Sequence, residues 1–463
     1  MDGAHRRTTK RLSGSRMRGP MTTRRPTAVA SVILVLGMAF GARAAAEEAA
    51  SAHPYSGDFF RRSTLTGDWG GARNDLAAKG ITFDASVTQV GQGVLSGGKD
   101  GTWQYGGRGD LTGHLDTQKL GLWPGGFLTV ELEGNWADSV NGSTGALMPA
   151  NSNQLYPVPI GSNVALPALN FAQFVSPYFG VILGKLATIT STSGDMNEFA
   201  HGKGDTQFLN LAFNFSPTVA LTVPYSPLGA GVLVLPTKDP DEAIANVLVI
   251  QSDGDAQTSG FGDLYADELS VASEGRVRTG FFGLTGHQLV GGTYSNKEFT
   301  SIDQRVGFPL RGQKLAPEDG SWCAYYNFDQ YVYEPEKGSG RGVGLFGRFG
   351  ASDGDPNLMQ YFYSAGVGGK GFFSSRPHDQ FGIGYYYLDV QNPTLQGPLQ
   401  TRSFLRDEWG FEGFYNIAIT PWMLLTPDIQ VIGPSQKRRL VSLGEGESVD
   451  TAVVLGFRIQ VVL

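Results

Sequence analysis

Polar side chains that could bind a solute recur at every second position in several segments of the chain. Side chains of a strand alternate between two faces, so each polar set shares one face and lies opposite Leu and Val. Carboxylates, amides and guanidinium groups on such a face can supply hydrogen bonds to a polar solute. They can also pair with one another across the strands, which is the commoner role for any single residue. The candidate residues are Arg108, Asp110, His114, Asp116, Glu131, Glu133, Asn135, Arg276, Arg278, Glu408, Glu412, Asn416, Asp428 and Gln430.

Other motifs that could carry chemistry lack the context that their chemistry needs. The glycines of 342–347 fit the GxGxxG spacing of a dinucleotide site, but they lie inside a strand pattern with no helix after it. The acidic pairs of 253–255 and 353–355 lack the other oxygen ligands and the closing Glu of a calcium loop. No GxSxG elbow occurs. We therefore predict that the chain is not an enzyme and has no metal site and no cofactor.

The segments that carry the polar sets predict about sixteen strands. Several run for ten or more residues, which is the length of a tilted membrane strand, whereas strands of soluble proteins are most often about 5–6 residues long. Long Asn/Gly/Ser/Pro-rich connections alternate with short turns, which is typical of outer-membrane barrels. The predicted strands are 81–89, 106–119, 127–140, 169–176, 178–187, 229–235, 242–251, 268–282, 287–298, 322–334, 341–351, 359–373, 379–390, 408–419, 423–432 and 450–462, with 207–225 left open between strand and loop.

Composition supports a membrane barrel. Glycine accounts for 65 of 463 residues, about twice the average share, and comes with 28 Phe, 17 Tyr and 7 Trp. The mean hydropathy is nevertheless −0.15, because only alternate residues of a barrel strand face lipid. We predict an all-β fold, a transmembrane antiparallel β-barrel of about 16 strands with a short N-terminal helix, in which the barrel fills residues 81–463. A secreted soluble all-β protein is the alternative.

The N-terminal region predicts export. Residues 1–44 contain basic residues, a short apolar run over 28–40 and a small-residue cleavage site at Ala44, or else at Ala46, which together indicate a signal peptide. The start could be Met1 or Met21. Residues 45–80 predict a periplasmic segment with a helix from Gly71 to Lys79.

The charge of the exported chain excludes one class of partner. Without residues 1–44 the chain holds 27 basic and 42 acidic residues, and this polyanionic balance argues against a nucleic-acid partner. The single cysteine, Cys323, allows no intramolecular disulfide, and we expect it to pack as a small side chain in a strand.

Three ordered motifs carry a resemblance to a known family. Leu65–Gly71 with Asp75–Ile81 resembles the N-terminal signature of the carbohydrate-selective porins of the OprB type. Leu120–Gly126 is similar to that family's first periplasmic turn, and Phe414–Trp422 with Leu425–Ile432 is similar to its penultimate hairpin. The resemblance implies a 16-stranded outer-membrane barrel through which monosaccharides such as glucose diffuse passively. On this reading the polar faces line the pore and offer hydrogen bonds to sugar hydroxyls.

Some features remain open at the level of sequence. Asp68, Trp69, Gly70 and Arg73 could hold the short helix against the inner wall and narrow the pore, or could cap the barrel from the periplasm. Family members commonly end in an aromatic residue, whereas this chain ends in Leu463.

The resemblance also implies partners, and it leaves rival functions. Small sugars, outer-membrane lipid and the barrel-assembly machinery are the expected partners. The sequence does not decide whether barrels associate as homotrimers, or which long loop folds inward. A general diffusion porin with charge-based ion selectivity and a barrel acting as adhesin or receptor are the alternative functions.

Overall fold

The chain folds as one closed antiparallel barrel of sixteen strands. The computed structural model describes residues 55–158, 164–188, 195–263, 268–305, 315–392, 395–396, 404–442 and 445–463. The predicted signal peptide, residues 1–44, lies outside the described residues.

Each strand pairs with its neighbours in sequence, and the first strand pairs with the last. Register runs from Ser86 opposite Val462 to Gly98 opposite Asp450 at this closing seam. The strands are β1 Ile81–Gly98, β2 Trp103–Asp116, β3 Gly126–Ala137, β4 Ala165–Ser176, β5 Phe179–Lys185, β6 Leu228–Val234, β7 Ala243–Gln251, β8 Leu269–Thr279, β9 Gly286–Thr300, β10 Pro317–Tyr333, β11 Gly342–Ser352, β12 Met359–Lys370, β13 Gln380–Val390, β14 Glu408–Thr420, β15 Met423–Gly433 and β16 Asp450–Val462.

The predicted fold class is confirmed, and the sixteen predicted strands correspond one to one with the observed strands. The bounds differ at some ends, since β1 extends to Gly98 and β10 begins at Pro317. The segment 207–225, which the sequence left open, lies in a long connection and holds two short 3₁₀ turns, Leu211–Phe213 and Pro217–Leu221.

The two faces of the barrel separate by residue type, as period-two alternation predicts. Apolar side chains point outward and remain exposed on the isolated barrel, for example Ile383 at 64%, Ile429 at 51% and Phe457 at 49%. Their strand neighbours on the inner face, such as Gln430 and Arg458, are buried. An apolar outer face and a polar inner face are the arrangement that a lipid environment requires.

Connections at the two ends of the barrel differ in length. One end, called here the helix end, carries the short turns, such as 117–125 and 421–422, together with the N-terminal helix. The opposite end, called the loop end, carries the long connections, among them 138–164 and 186–227. The loop end also contains two short two-stranded ladders, formed by 304–305 with 395–396 and by 438–442 with 445–448.

The helix α1 spans Ala72–Ala78 and ends next to Gly80, close to the predicted end of the helix. Gly80 has a φ of 84°, a left-handed conformation that favours glycine, and an added Cβ would lie 2.6 Å from the Cβ of Lys119. Among the described residues, no helix is both long and apolar enough to cross a bilayer.

Candidate functional site

The connection between β5 and β6 folds into the barrel. We call its described residues 195–227 the inner loop. Its rings Phe199 and Phe213 lie against Gly344 and Gly384 of the inner wall, where an added Cβ would approach the rings to 2.4 and 2.5 Å. Glycine is needed at these two wall positions because any side chain would displace the ring. The two rings belong to a buried cluster with Phe208, Phe346, Phe362, Tyr386 and Phe414.

Arginines of the wall fix the backbone of the inner loop. The Nε atom of Arg348 lies 2.9 Å from Oδ2 of Asp195, and its Nη1 donates to the carbonyl of Phe213 at 2.8 Å. Arg458 donates from Nη1 to the carbonyls of Gly204 and Gln207 at 3.0 and 2.8 Å. Both guanidinium groups are buried, so these charge-assisted hydrogen bonds hold the loop in place.

Lys203 of the inner loop lies between two carboxylates of β3. Its Nζ atom is 2.9 Å from Oε1 of Glu131, and it also contacts Glu133. The hydroxyl of Tyr225, which is 2.8 Å from Nζ, hydrogen-bonds to Glu133 as well. Burial opposes the charged form of Lys203, but Glu131 and Glu133 outweigh burial and raise the pKa of the ammonium above its ordinary value.

Other predicted polar residues of the wall accept hydrogen bonds from the inner loop or donate hydrogen bonds to it. Glu412 accepts from the backbone N–H groups of Leu209 and Asn210 at 2.5 and 2.8 Å. Asn416 donates from Nδ2 to the carbonyl of Thr206 at 2.8 Å. These wall residues therefore satisfy loop backbone that would otherwise be buried without partners.

A second connection, 138–158, also turns inward and is held in the same way. Glu408 accepts from the N–H groups of Leu147 and Met148 at 2.6 and 2.9 Å. Gln430 donates to the carbonyl of Ala150 at 2.8 Å, and Asn135 donates to the carbonyl of Tyr156 at 3.0 Å.

Apart from Asp116, the predicted pore-lining residues divide into two groups. Most of them are covered by the two inward loops and do not face open space. Arg276 is only partly buried and Arg278 is exposed, while Asp110 and His114 retain partial exposure. The covered residues are Arg108, Glu131, Glu133, Asn135, Glu408, Glu412, Asn416, Asp428 and Gln430.

Three of the predicted residues on β2 have local partners. Arg108 pairs with Asp110, with Nε 3.0 Å from Oδ1, and also donates to the carbonyl of Lys203 at 3.1 Å. The Nδ1 atom of His114 lies 3.2 Å from Oγ1 of Thr129. Asp116 does not join them, since its Oδ1 accepts from the backbone N–H of Gln118 at 2.9 Å and caps the turn at the helix end.

A cavity of about 560 Å³ lies between the inward loops and β7–β10. The loop side contributes aromatic rings, Tyr156, Phe215 and Tyr225. The wall side contributes Asn246, Glu274 and Tyr325. The carboxylate of Glu274 accepts from the Tyr325 hydroxyl at 2.6 Å and from the N–H of Asp195 at 2.9 Å. Aromatic faces and hydrogen-bonding groups therefore face each other across this cavity.

The cavity residues were missed at the level of sequence, although a signal existed for one of them. Glu274 has the same parity on β8 as Arg276 and Arg278, so extending that face by two residues would have included it. Tyr325 gave no such signal, because tyrosines also face the lipid boundary in barrels of this kind.

The N-terminal motif lies at the seam where β1 meets β16. Arg73 is buried and donates to the carbonyl of Leu463 at 2.9 Å and to that of Phe83 at 2.6 Å. Its guanidinium carbon lies 4.2 Å from the centre of the Tyr55 ring. The N–H of Leu65 donates to the carbonyl of Val462 at 2.8 Å. We call this set of contacts the seam clasp.

The other motif residues shape the turn before α1. Asp68 accepts from Ser56 Oγ at 2.7 Å and from the N–H of Gly70 at 3.1 Å. The Ser56 hydrogen bond is the main cause that lowers the pKa of Asp68. The Trp69 ring lies 6.3 Å from that of Phe83, a residue on the outer face of β1, so Trp69 borders the outside of the seam.

Residues of the dismissed motifs have structural partners. Asp253 pairs with Lys297, and Asp355 accepts from Ser301 Oγ at 2.7 Å. Cys323 is buried on β10, 3.0 Å from Thr293 Oγ1. In the described ranges no three His, Cys, Asp or Glu side chains cluster as metal ligands.

Comparisons with known proteins agree with this architecture. The profile of the family described as carbohydrate-selective porin, OprB family, matches residues 100–463. Porin B of Pseudomonas aeruginosa is 25% identical over 437 residues, covering 86% of this chain and 91% of that protein.

Solved structures share the fold. The high-pH structure of Pseudomonas putida OprB has a TM-score of 0.72 at 22% identity and covers 88% of this chain and 100% of its own. The low-pH structure of the same protein has a TM-score of 0.54 at 18% identity, covering 87% of this chain and 99% of its own.

The family match spans well over half of the sequence and includes fifteen complete strands and most of the inner loop's wall contacts. The suspected resemblance is therefore confirmed. This chain belongs to the carbohydrate-selective porins of the OprB family, which are channels of the outer membrane rather than a class of enzymes.

Proposed function

We propose that the protein lets monosaccharides such as glucose diffuse passively across the outer membrane, through the gap between the inward loops and β7–β10. One observation carries this proposal. The inner loop is fixed by buried ion pairs and hydrogen bonds, so the open section is narrow and is lined by aromatic rings opposite hydrogen-bonding groups.

The chemistry of this lining suits a sugar. A sugar that enters a narrow section loses part of its hydration shell, and its hydroxyls then need replacement partners. Asn246 and Glu274 offer such partners, while the rings of Tyr156 and Phe215 can pack against the apolar faces of a pyranose. Binding of this kind must stay weak enough to allow release.

The remaining assignments are part of the same proposal. The signal peptide would be cleaved after Ala44, residues 45–80 would lie in the periplasm, and the assembly machinery would insert the barrel into outer-membrane lipid.

Swelling of proteoliposomes tests the function directly. Purified protein is reconstituted into liposomes, which are then diluted into isotonic glucose, a zwitterionic amino acid smaller than glucose, or a trisaccharide. We expect glucose to enter faster than the smaller amino acid and the trisaccharide to enter slowest. Liposomes without protein and with heat-denatured protein are the controls.

The rival functions give different results in this assay. A general diffusion porin would admit the smaller amino acid faster than glucose, because size and charge alone set its rates. A barrel that serves as adhesin or receptor would cause no swelling with any solute. Either result would overturn the proposal.

A further inference from the structure

Arg276 differs from the three buried guanidinium groups of the inner wall. Arg108, Arg348 and Arg458 are all buried, and each is engaged by loop carbonyls or a carboxylate. Arg276 is partly accessible, and within the described residues it makes no hydrogen bond and no ion pair. Its Nε atom is buried, so the four N–H groups on its two terminal nitrogens are the donors left for a solute.

The neighbours of Arg276 in the sheet explain its lack of partners. Its register partners are Ile244 on β7 and Leu289 on β9, and neither can accept a hydrogen bond. Asp241 and Glu198 are close enough to interact with it electrostatically. The positive charge is therefore balanced at a distance, while the N–H groups stay unoccupied.

Arg276 lies just beyond the cavity lining, on the same face of β8. Ala272 and Glu274, which both line the cavity, precede it on the same face, and Arg278 follows at the helix end. A solute that moves from the loop end to the helix end would therefore meet the carboxylate of Glu274 first and the guanidinium of Arg276 next. Arg278 is exposed and already donates from Nη2 to Thr285 Oγ1 at 3.4 Å.

We propose that Arg276 is a specificity-determining residue of the channel, whose guanidinium donates to the hydroxyl oxygens of a neutral sugar after the solute passes Glu274. The assignment rests on the proposed function. An anionic sugar would be repelled at Glu274 and Asp195, and a cation would be repelled at Arg276, whereas a neutral polyhydroxy solute can hydrogen-bond at both levels.

Glucose block of ion current in planar bilayers tests the assignment. Wild-type protein is compared with Arg276→Met, Arg276→Lys and the matched control Arg278→Met, two residues further along the same face. We expect Arg276→Met to raise the half-blocking glucose concentration about tenfold and to shift ion preference toward cations. Arg276→Lys should keep the wild-type ion preference and recover part of the block, and Arg278→Met should change the half-blocking concentration less than about twofold.

The outcomes separate this assignment from the function on which it rests. All variants are first checked for the heat-dependent electrophoretic shift of a folded barrel. A wild-type block that Arg276→Met leaves unchanged, or that Arg278→Met weakens equally, would overturn the role of Arg276 alone. Ion current without any glucose block in the wild type would refute the sugar channel and this assignment with it.

Discussion

Lys203 has no exposed side-chain surface, and its ammonium lies between Glu131 and Glu133. Removal of one partner from such a buried group leaves uncompensated charge, which costs far more than loss of a surface pair. At the level of sequence these two glutamates were candidates for a solute contact or for pairing across neighbouring strands. The structure shows Glu131 and Glu133 facing a lysine 72 and 70 residues further along the chain.

We expect Lys203→Met to destabilise the seated inner loop by about 3–5 kcal/mol, because Glu131, Glu133 and Tyr225 lose their shared cation. The barrel should still assemble, since the strand ladder is untouched. Single-channel recording should show larger and noisier conductance, and glucose block should weaken.

The control for this variant is Arg439→Met at the loop end. Arg439 pairs with Asp100, but the two side chains are 40% and 51% exposed, so the pair is worth about 0–1 kcal/mol. Equal effects of the two substitutions on conductance would contradict the anchoring role of Lys203.

At the scale of elements, the inner loop and the glycines of the wall form one fitted unit. Glycines on β11 and β13 leave space into which rings of the loop pack, and wall arginines bind the loop backbone between those rings. The high glycine content therefore has a role beyond strand curvature, because it determines where the lumen is filled.

Gly384→Val tests this fit. An added Cβ would lie 2.5 Å from the Phe213 ring, so valine should displace the ring and shift the inner loop. We expect β13 to pair as in the wild type, because the substitution leaves its backbone unchanged. The conductance should differ from wild type, and the preference for glucose over the smaller amino acid should be weaker in swelling assays.

Gly413→Val is the matched substitution on the outer face of the neighbouring strand β14. The atoms nearest to an added Cβ there are 3.9 Å away, so valine should be accommodated against lipid with wild-type transport. Wild-type transport by Gly384→Val would show that the ring–glycine contact does not position the loop.

The seam clasp makes a separate prediction about stability. Arg73→Met removes charge-assisted hydrogen bonds to β1 and to Leu463, which we expect to cost about 3 kcal/mol. The temperature at which heating unfolds the barrel, seen as a shift in its electrophoretic mobility, should fall. Single-channel conductance should stay at the wild-type value because the clasp lies at the seam. Arg61→Met, which affects an 88% exposed side chain, should leave both unchanged. A changed conductance with unchanged unfolding temperature would contradict this role.

At the scale of the whole molecule, the local sequence pattern was sufficient to predict the barrel. It was not sufficient to predict which part of the lumen stays open. Period-two alternation is a property of neighbouring residues, so sixteen strands and their two faces could be predicted. Which wall residues stay open depends on contacts such as Leu209 with Glu412, 203 residues apart, and no periodicity encodes them. For the same reason the sequence did not distinguish Arg276 from the other predicted pore-lining residues, although it is among the few that remain accessible.

The central claim, that solute passes between the inward loops and β7–β10, is tested most directly by cysteine accessibility. In a Cys323→Ala background, Ala272→Cys places a thiol on the cavity wall, and Ala452→Cys places one on the inner face of β16 beneath the inward loops. A bulky charged thiol reagent is added while current is recorded, with and without glucose. We expect rapid loss of current for Ala272→Cys, slowed by glucose, and no change for Ala452→Cys. Rapid loss at Ala452→Cys with none at Ala272→Cys would place the passage on the opposite wall and contradict the account.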